Sequence, residues 1–188
     1  MKHKIRSYTY GILSILLLIG LDQYTKWLAT EYLKNQASIT LLPGVFKLHY
    51  LENKGAAFGL LQGGFPIFIA GAIIVTILVL WLYGRMPINR RFLPLRMCGV
   101  LLVAGAIGNM IDRFVHGFVI DFFYFYLINF PIFNVADVYV VLSCISIAIL
   151  ILFIYKEHEL DMVFPSFNKK PLTTDQHNVN SEDTNTLK

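Results

Sequence analysis

The sequence predicts an all-α membrane protein: four transmembrane helices with a small extracytoplasmic β-element after the first. Two observations carry this. Of 188 residues, 56% are hydrophobic and only 15% charged, where a typical soluble domain carries about 25% charged residues. With a mean hydropathy of +0.59, too few polar side chains remain to cover a water-facing surface. Second, four stretches reach the roughly 20 mostly apolar residues that a spanning helix needs. The same composition excludes a soluble globular enzyme, a disordered chain, a nucleic-acid binder and a disulfide scaffold.

The first span covers about residues 8–30. Its basic start (Lys2, Lys4, Arg6) and apolar run look like a cleavable leader. No small-x-small site precedes Asp22, however, and the segment stays apolar through Trp27, Leu28 and Ala29, so it reads as a retained anchor. Residues 37–60 form the outer β-element. Within it, 38–42 reads as a strand, Pro43-Gly44 as a turn, and 45–51 as a second strand in which Phe46, Leu48 and Tyr50 alternate with Lys47 and His49. Spans two, three and four cover about 66–84, 95–113 and 134–155. Together residues 1–160 make the transmembrane domain. Residues 161–188, rich in Asn, Thr and Lys, read as a disordered cytoplasmic tail.

The net charge is +4, which in a membrane protein is a topology signal. Lys2, Lys4 and Arg6, then Arg85, Arg90, Arg91 and Arg96, then Lys156, Lys169, Lys170 and Lys188 fall on one side. These are eleven of the sixteen basic residues. The positive-inside rule makes that side cytoplasmic, with both termini inside. Cys98 and Cys144 lie far apart in apolar runs and spell no metal or redox spacing. The five histidines are scattered, and no metal site is expected.

Ionisable residues inside spans are costly and by default mark function. Asp22 lies 16 residues beyond Arg6 and Asp112 lies 16 beyond Arg96, about 24 Å along a helix in each case. Asp137 lies 19 residues before Lys156, about 28 Å. Across a hydrocarbon core of about 30 Å, these acids arrive at one depth, near the outer boundary. Asp121, in the loop between spans three and four, sits at about the same level. Asp22 and Lys26 are spaced i, i+4 and can pair. Arg113 is expected as the counter-ion of Asp112. Asn109 and Asn134 each precede an acid by three and can orient a buried carboxyl. Asp121 and Asp137 have no cation within four positions. In an apolar site two such acids coexist only if they share a proton or one is protonated. An aspartic peptidase needs that arrangement: one carboxylate takes a proton from water while the partner acid polarises the scissile carbonyl.

At these residues the sequence resembles the bacterial lipoprotein signal peptidases, signal peptidase II. The matching motifs run in order along the chain: Asp22-Gln23-Tyr24-Thr25-Lys26; Glu52-Asn53-Lys54-Gly55-Ala56-Ala57-Phe58; Gly108-Asn109-Met110-Ile111-Asp112-Arg113; Val119-Ile120-Asp121-Phe122; and Phe133-Asn134-Val135-Ala136-Asp137. They cover about residues 8–155. The resemblance implies a membrane aspartic endopeptidase that cuts prolipoproteins just before a cysteine carrying a diacylglyceryl group, without a cofactor. It implies Asp121 and Asp137 as the catalytic dyad, Asn109 and Asn134 as the amides beside it, and Asn53, Gly55 and Arg113 as positions that shape the substrate cleft. Asp22, Lys26 and Asp112 match positions that maintain structure. The expected partners are the lipidated precursor and membrane lipid, with no nucleic acid. The protein is expected to act as a monomer in the bacterial cytoplasmic membrane, with its site near the outer face.

Between residues 114 and 133 lie nine aromatics, including Phe118, Phe122, Phe125, Phe130 and Phe133. They read either as an interfacial belt or as a mobile lip that closes over the lipid. A proton-coupled transporter and a non-catalytic scaffold are the rivals. Transporter sites lie near the midplane and often at a repeat interface, whereas these acids cluster outward and no repeat is present. An H-E-x-x-H zinc site fails, because Met162 stands where the second His belongs after His158-Glu159. No G-x-S-x-G elbow occurs.

Overall fold

The computed structural model describes residues 2–55 and 65–164. Ala56, Ala57 and Phe58 of the second motif, the last residues of the expected β-element, and residues 165–188 of the expected tail lie outside the described residues. Four long helices dominate: α1 (Lys2–Leu33), α2 (Phe65–Arg85), α3 (Leu93–His116) and α4 (Val135–Ile149). A π-helical turn over Leu150–Ile154 prolongs α4. Each is long and apolar enough to cross a membrane, over Ile5–Leu33, Pro66–Arg85, Leu93–His116 and Val135–Ile154. Leu17, Ile74, Ile77, Leu152 and Phe153 point outward and are exposed, as lipid-facing side chains must be.

α3 is the central helix and packs against α1, α2 and α4. Its glycines allow this. A Cβ at Gly105 would lie 2.6 Å from the Ala136 carbonyl oxygen, and one at Gly108 2.6 Å from an Asp22 carboxylate oxygen. Small residues at such faces let helices approach closely. At its start, the Asn89 side chain accepts from the Phe92 backbone at 3.0 Å. At its end, Gly117 takes φ +80 and donates to the Arg113 carbonyl at 3.0 Å, a left-handed cap that suits glycine.

The β-element is a three-stranded antiparallel sheet in the order β1 (Ile39–Leu42), β2 (Phe46–Asn53), β3 (Val119–Phe125). The first two strands fall close to the expected 38–42 and 45–51. The third comes from the segment read as an outer loop. Its sequence, Val-Ile-Asp-Phe-Phe-Tyr-Phe, shows no polar alternation, because its first four residues are all buried. β2 bulges opposite β3: Leu48 pairs with Phe123 but Leu51 pairs with Asp121, so β2 carries one extra residue there. Such bulges bend a strand and re-aim its side chains. The sheet rests on the end of α1 through a cluster of Ala29, Leu33, Ile120 and Phe122.

The opposite end of the bundle is closed by Phe92, Leu95, Cys98, Leu150 and Tyr155. A fifth helix, α5 (Glu157–Val163), buries Val163 there, and Arg91 pairs with Glu159 at 2.9 Å. Residues 161–163 therefore belong to the packed unit rather than to a disordered tail starting at 161. The chain stays ordered because α5 has an apolar residue to bury and an ion pair to hold it.

Candidate active site

The site lies where α1, α3, the start of α4 and the sheet meet. Asn134 is the N-cap of α4. Its side-chain oxygen accepts from the Asp137 backbone at 3.0 Å, and Asp137 in turn accepts from the Asn134 backbone at 3.1 Å. This reciprocal cap satisfies N–H groups that a helix start leaves unpaired, and it fixes the Asp137 carboxyl. The Asn134 amide nitrogen then donates to Asp121 at 2.6 Å. One fully buried residue thus holds a carboxylate on either side.

Asp121 reaches this point from β3. Asn53 pairs with Val119 across the sheet, so Asn53 and Asp121 are diagonal neighbours on one face. The Asn53 amide donates to Asp121 at 2.8 Å. Its side-chain oxygen is held in turn by the Gly55 backbone N–H at 2.9 Å. Asp121 is completely buried. Burial pushes its carboxyl up to about 7; the Asn53 amide pulls it down, the nearby Asp137 charge raises it, and the Asn134 amide lowers it again.

On the other side, the Asn109 amide donates to Asp137 at 2.7 Å. Asn109 accepts from Lys26 and from Asn134, both at 3.0 Å. Lys26 also pairs with Asp22 at 2.8 Å and with Asp112 at 3.0 Å, all three nearly inaccessible. The i, i+4 pairing of Asp22 with Lys26 is present. Arg113 is not the counter-ion of Asp112, however. Adjacent helix residues point about 100° apart and do not face each other. Arg113 instead donates to the Asn109 carbonyl at 3.0 Å and lies 5.0 Å from the centroid of the Phe68 ring. Asn109 likewise serves Asp137 rather than Asp112.

Asp22 and Asp112 also hold backbone. Asp22 accepts from the Ala136 N–H at 2.9 Å, in the first turn of α4. Asp112 accepts from the Ile120 N–H at 3.0 Å, one residue before Asp121. Asp22 therefore positions the segment that carries Asp137, and Asp112 the segment that carries Asp121. Gly55 adopts φ +87, and a Cβ there would lie 2.7 Å from the Phe68 ring, so only glycine fits.

A cavity of about 720 Å³ opens beside Asp137, which is part of its lining. Its lining is almost entirely apolar: Phe125, Ile128, Phe130 and Phe133 from one side, Val138 and Val141 of α4 from the other. Ordinary ligand pockets are concave and mostly apolar with few polar groups. No cluster of three metal-ligating side chains occurs among the described residues.

Residues that sequence reading left without a role also appear here. The Gln23 amide bridges Asp22, Asp112 and the Gly108 carbonyl at 2.9–3.2 Å. Its place beside Asp22 in an otherwise apolar span was the available signal. Phe68, which stacks on Arg113 and walls Gly55, gave none, being one apolar residue among many.

The chain is similar to known proteins along most of its length. A family model described as signal peptidase (SPase) II matches residues 14–154. A lipoprotein signal peptidase of Clostridioides difficile is 42% identical over 144 residues, covering 76% of this chain and 94% of that protein. One from Symbiobacterium thermophilum is 40% identical over 147 residues, covering 77% and 92%. Among solved structures, a bacterial membrane enzyme determined by the in meso method at 1.9 Å superposes with a TM-score of 0.68 at 32% identity, covering 77% of this chain and 94% of that one. With a family match across most of its length and a shared fold, the chain belongs to the signal peptidase II family.

Proposed function

We propose that Asp121 and Asp137 are the catalytic dyad of this enzyme, with Asn134 and Asn109 setting their geometry. The chain is a membrane protease that removes signal peptides from prolipoproteins. The observation that carries the dyad is the Asn134 bridge: side-chain amide to Asp121, backbone N–H to Asp137.

The chemistry follows from the unequal surroundings of the two acids. Asp121, with its carboxyl raised to about 7, holds the shared proton. Asp137 accepts only from N–H donors, at the N-terminus of α4, where the helix dipole favours negative charge. Asp137 takes a proton from the attacking water. Asp121 donates its proton to the scissile carbonyl oxygen, giving a neutral gem-diol. Collapse returns a proton to Asp121, and the proton held by Asp137 passes to the departing amine. One water is consumed, and a carboxylic acid and an amine are released.

The apolar cavity beside Asp137 supports a lipid-bearing substrate, with the diacylglyceryl chains against Phe125, Ile128 and Phe130. Asn53, Gly55 and Arg113 shape the opposite wall. The site sits at the end of the bundle away from Arg85, Arg90, Arg91 and Arg96. By the positive-inside rule it faces the outside of the bacterial cytoplasmic membrane, with both termini inside. Residues 1–160, extended by α5, act as one unit and as a monomer; the remaining tail has no chemistry.

The test uses purified protein with a diacylglyceryl-modified and an unmodified precursor. Cleavage of the modified form alone is expected, and Asp121→Asn and Asp137→Asn should each abolish it in folded protein. Wild-type rates in either variant would remove the dyad, and equal cleavage of both precursors would remove the lipid requirement.

A further inference from the structure

At the end of the bundle opposite the dyad, three arginines face a groove with no acid in it. Arg96, in the first turn of α3, is only 4% exposed. Its guanidinium donates to the Ser7 hydroxyl at 2.8 Å and to the Met86 carbonyl at 3.4 Å, and lies 4.1 Å from the Tyr83 ring centroid. A guanidinium carries five N–H donors, so these contacts leave donors over. Among the described residues no carboxylate comes within ion-pair distance of Arg96, and burying a charge without a counter-ion is costly.

Arg96, Ser7, Tyr10 and Leu93 line two adjoining hollows, which therefore form one groove. The mouth, about 370 Å³, adds Arg6, Asn89 and Arg90. The body, about 430 Å³, runs between α1 and α3 and is overwhelmingly apolar, ending at Leu18 and Leu101. No Asp or Glu lines either part. From Ser7 to Leu18 the groove follows α1 for about 16 Å, close to half of the roughly 30 Å hydrocarbon core. That is the depth of one leaflet.

We propose that this groove is a binding site for one anionic phospholipid of the inner leaflet. The phosphodiester lies against Arg96, Arg6 and Arg90, and one acyl chain lies along Leu17, Leu18 and Leu101. A three-arginine mouth complements an anionic headgroup. The apolar body, open to the membrane, takes a chain that free phosphate lacks. The packing of Arg96 between α1, α2 and α3 makes the lipid a clamp on the three helices at the end remote from catalysis.

The test is native mass spectrometry of the full chain, purified in detergent and supplied with equal amounts of phosphatidylglycerol and phosphatidylcholine bearing identical chains. Wild type should retain one phosphatidylglycerol with a preference of about tenfold or more. The Arg6→Gln/Arg90→Gln double variant should reduce that preference to about twofold. Ser14→Trp, which fills the groove and keeps every charge, should lower retention to a similar extent. Glycerophosphoglycerol, the headgroup without chains, should not displace the lipid. Prolipoprotein cleavage by these variants checks that they are folded, because Arg6, Arg90 and Ser14 lie away from the dyad. Equal retention of both lipids by wild type, wild-type preference in the double variant, wild-type retention in Ser14→Trp, or displacement by the headgroup alone would overturn the proposal.

Discussion

Lys26 on α1 fixes the amide of Asn109 on α3. Its ammonium donates to the Asn109 side-chain oxygen at 3.0 Å, and Asn134 fills the second lone pair of that oxygen at 3.0 Å. With both acceptor positions taken by donors, a flipped amide would set N–H against N–H. The Asn109 nitrogen therefore has to face Asp137. A buried cation that neutralises Asp22 and Asp112 thereby also orients a donor at the site.

Two substitutions separate these roles. Lys26→Met leaves two buried carboxylates without their cation and should cost about 3–5 kcal/mol, read as a large fall in Tm in micelles. Asn109→Asp keeps the acceptor for Lys26 but loses the N–H donor to Asp137 and puts oxygen against oxygen. It should fold, while kcat/KM for a lipidated precursor falls about 100-fold or more. Activity within about threefold of wild type would show that this amide does not position Asp137.

The activity should have two pH limbs. Asp121 must be protonated to donate, and its carboxyl is raised to about 7, so kcat/KM should fall as pH rises through about 7. An acid limb should appear where the pair takes up a second proton, since only the singly protonated pair works. Asn53→Ala removes the larger of the two amide contributions that pull Asp121 down, so the basic limb should move to higher pH. A rate that climbs steadily with pH would point to a different base.

The same shift predicts a stability trend. Asp121 titrates at about 7 folded against 3.8 for the free group. A raised carboxyl binds its proton more tightly when folded, so this contribution is complete below about pH 3.8 and is lost as pH rises to about 7. Asp121→Asn cannot titrate. Whatever constant cost it carries from facing the Asn53 and Asn134 amides, its Tm relative to wild type should improve between pH 4 and pH 8. The change is bounded by about 4 kcal/mol. A flat difference across that range would mean that Asp121 titrates normally in the folded protein.

Much of this architecture is legible in the amino-acid sequence. The four spans follow from the length of four mostly apolar stretches, and the common level of Asp22, Asp112 and Asp137 from helix rise. The Asp22–Lys26 pair followed from i, i+4 spacing. What stayed hidden depended on tertiary pairing. Val119–Phe125 lacks the alternation that marks a strand, because both of its faces are covered at the start. The partner of Asp112 came from α1, eighty-six residues away, rather than from its neighbour Arg113. The Asn53–Asp121 contact needed the sheet register, including the bulge between Leu48 and Leu51, which no local pattern encodes.

The aromatic segment can be assigned by kinetics. Its middle, Val119–Phe125, is strand: Phe122 is buried, and Phe123 bonds back to Phe133 in both directions, at 2.9 and 3.1 Å. A lip that swings as a whole would break this pairing. Ile128 and Phe130 are exposed, 69% and 47% accessible, and both line the cavity that includes Asp137. If they hold the lipid chains alike in the ground state and the transition state, Ile128→Ala/Phe130→Ala removes uniform binding. KM should then rise about three- to tenfold with kcat unchanged. A fall in kcat at constant KM would instead mark a closure step that these residues complete. Unchanged kinetics in folded protein would leave them as membrane-interface anchors alone.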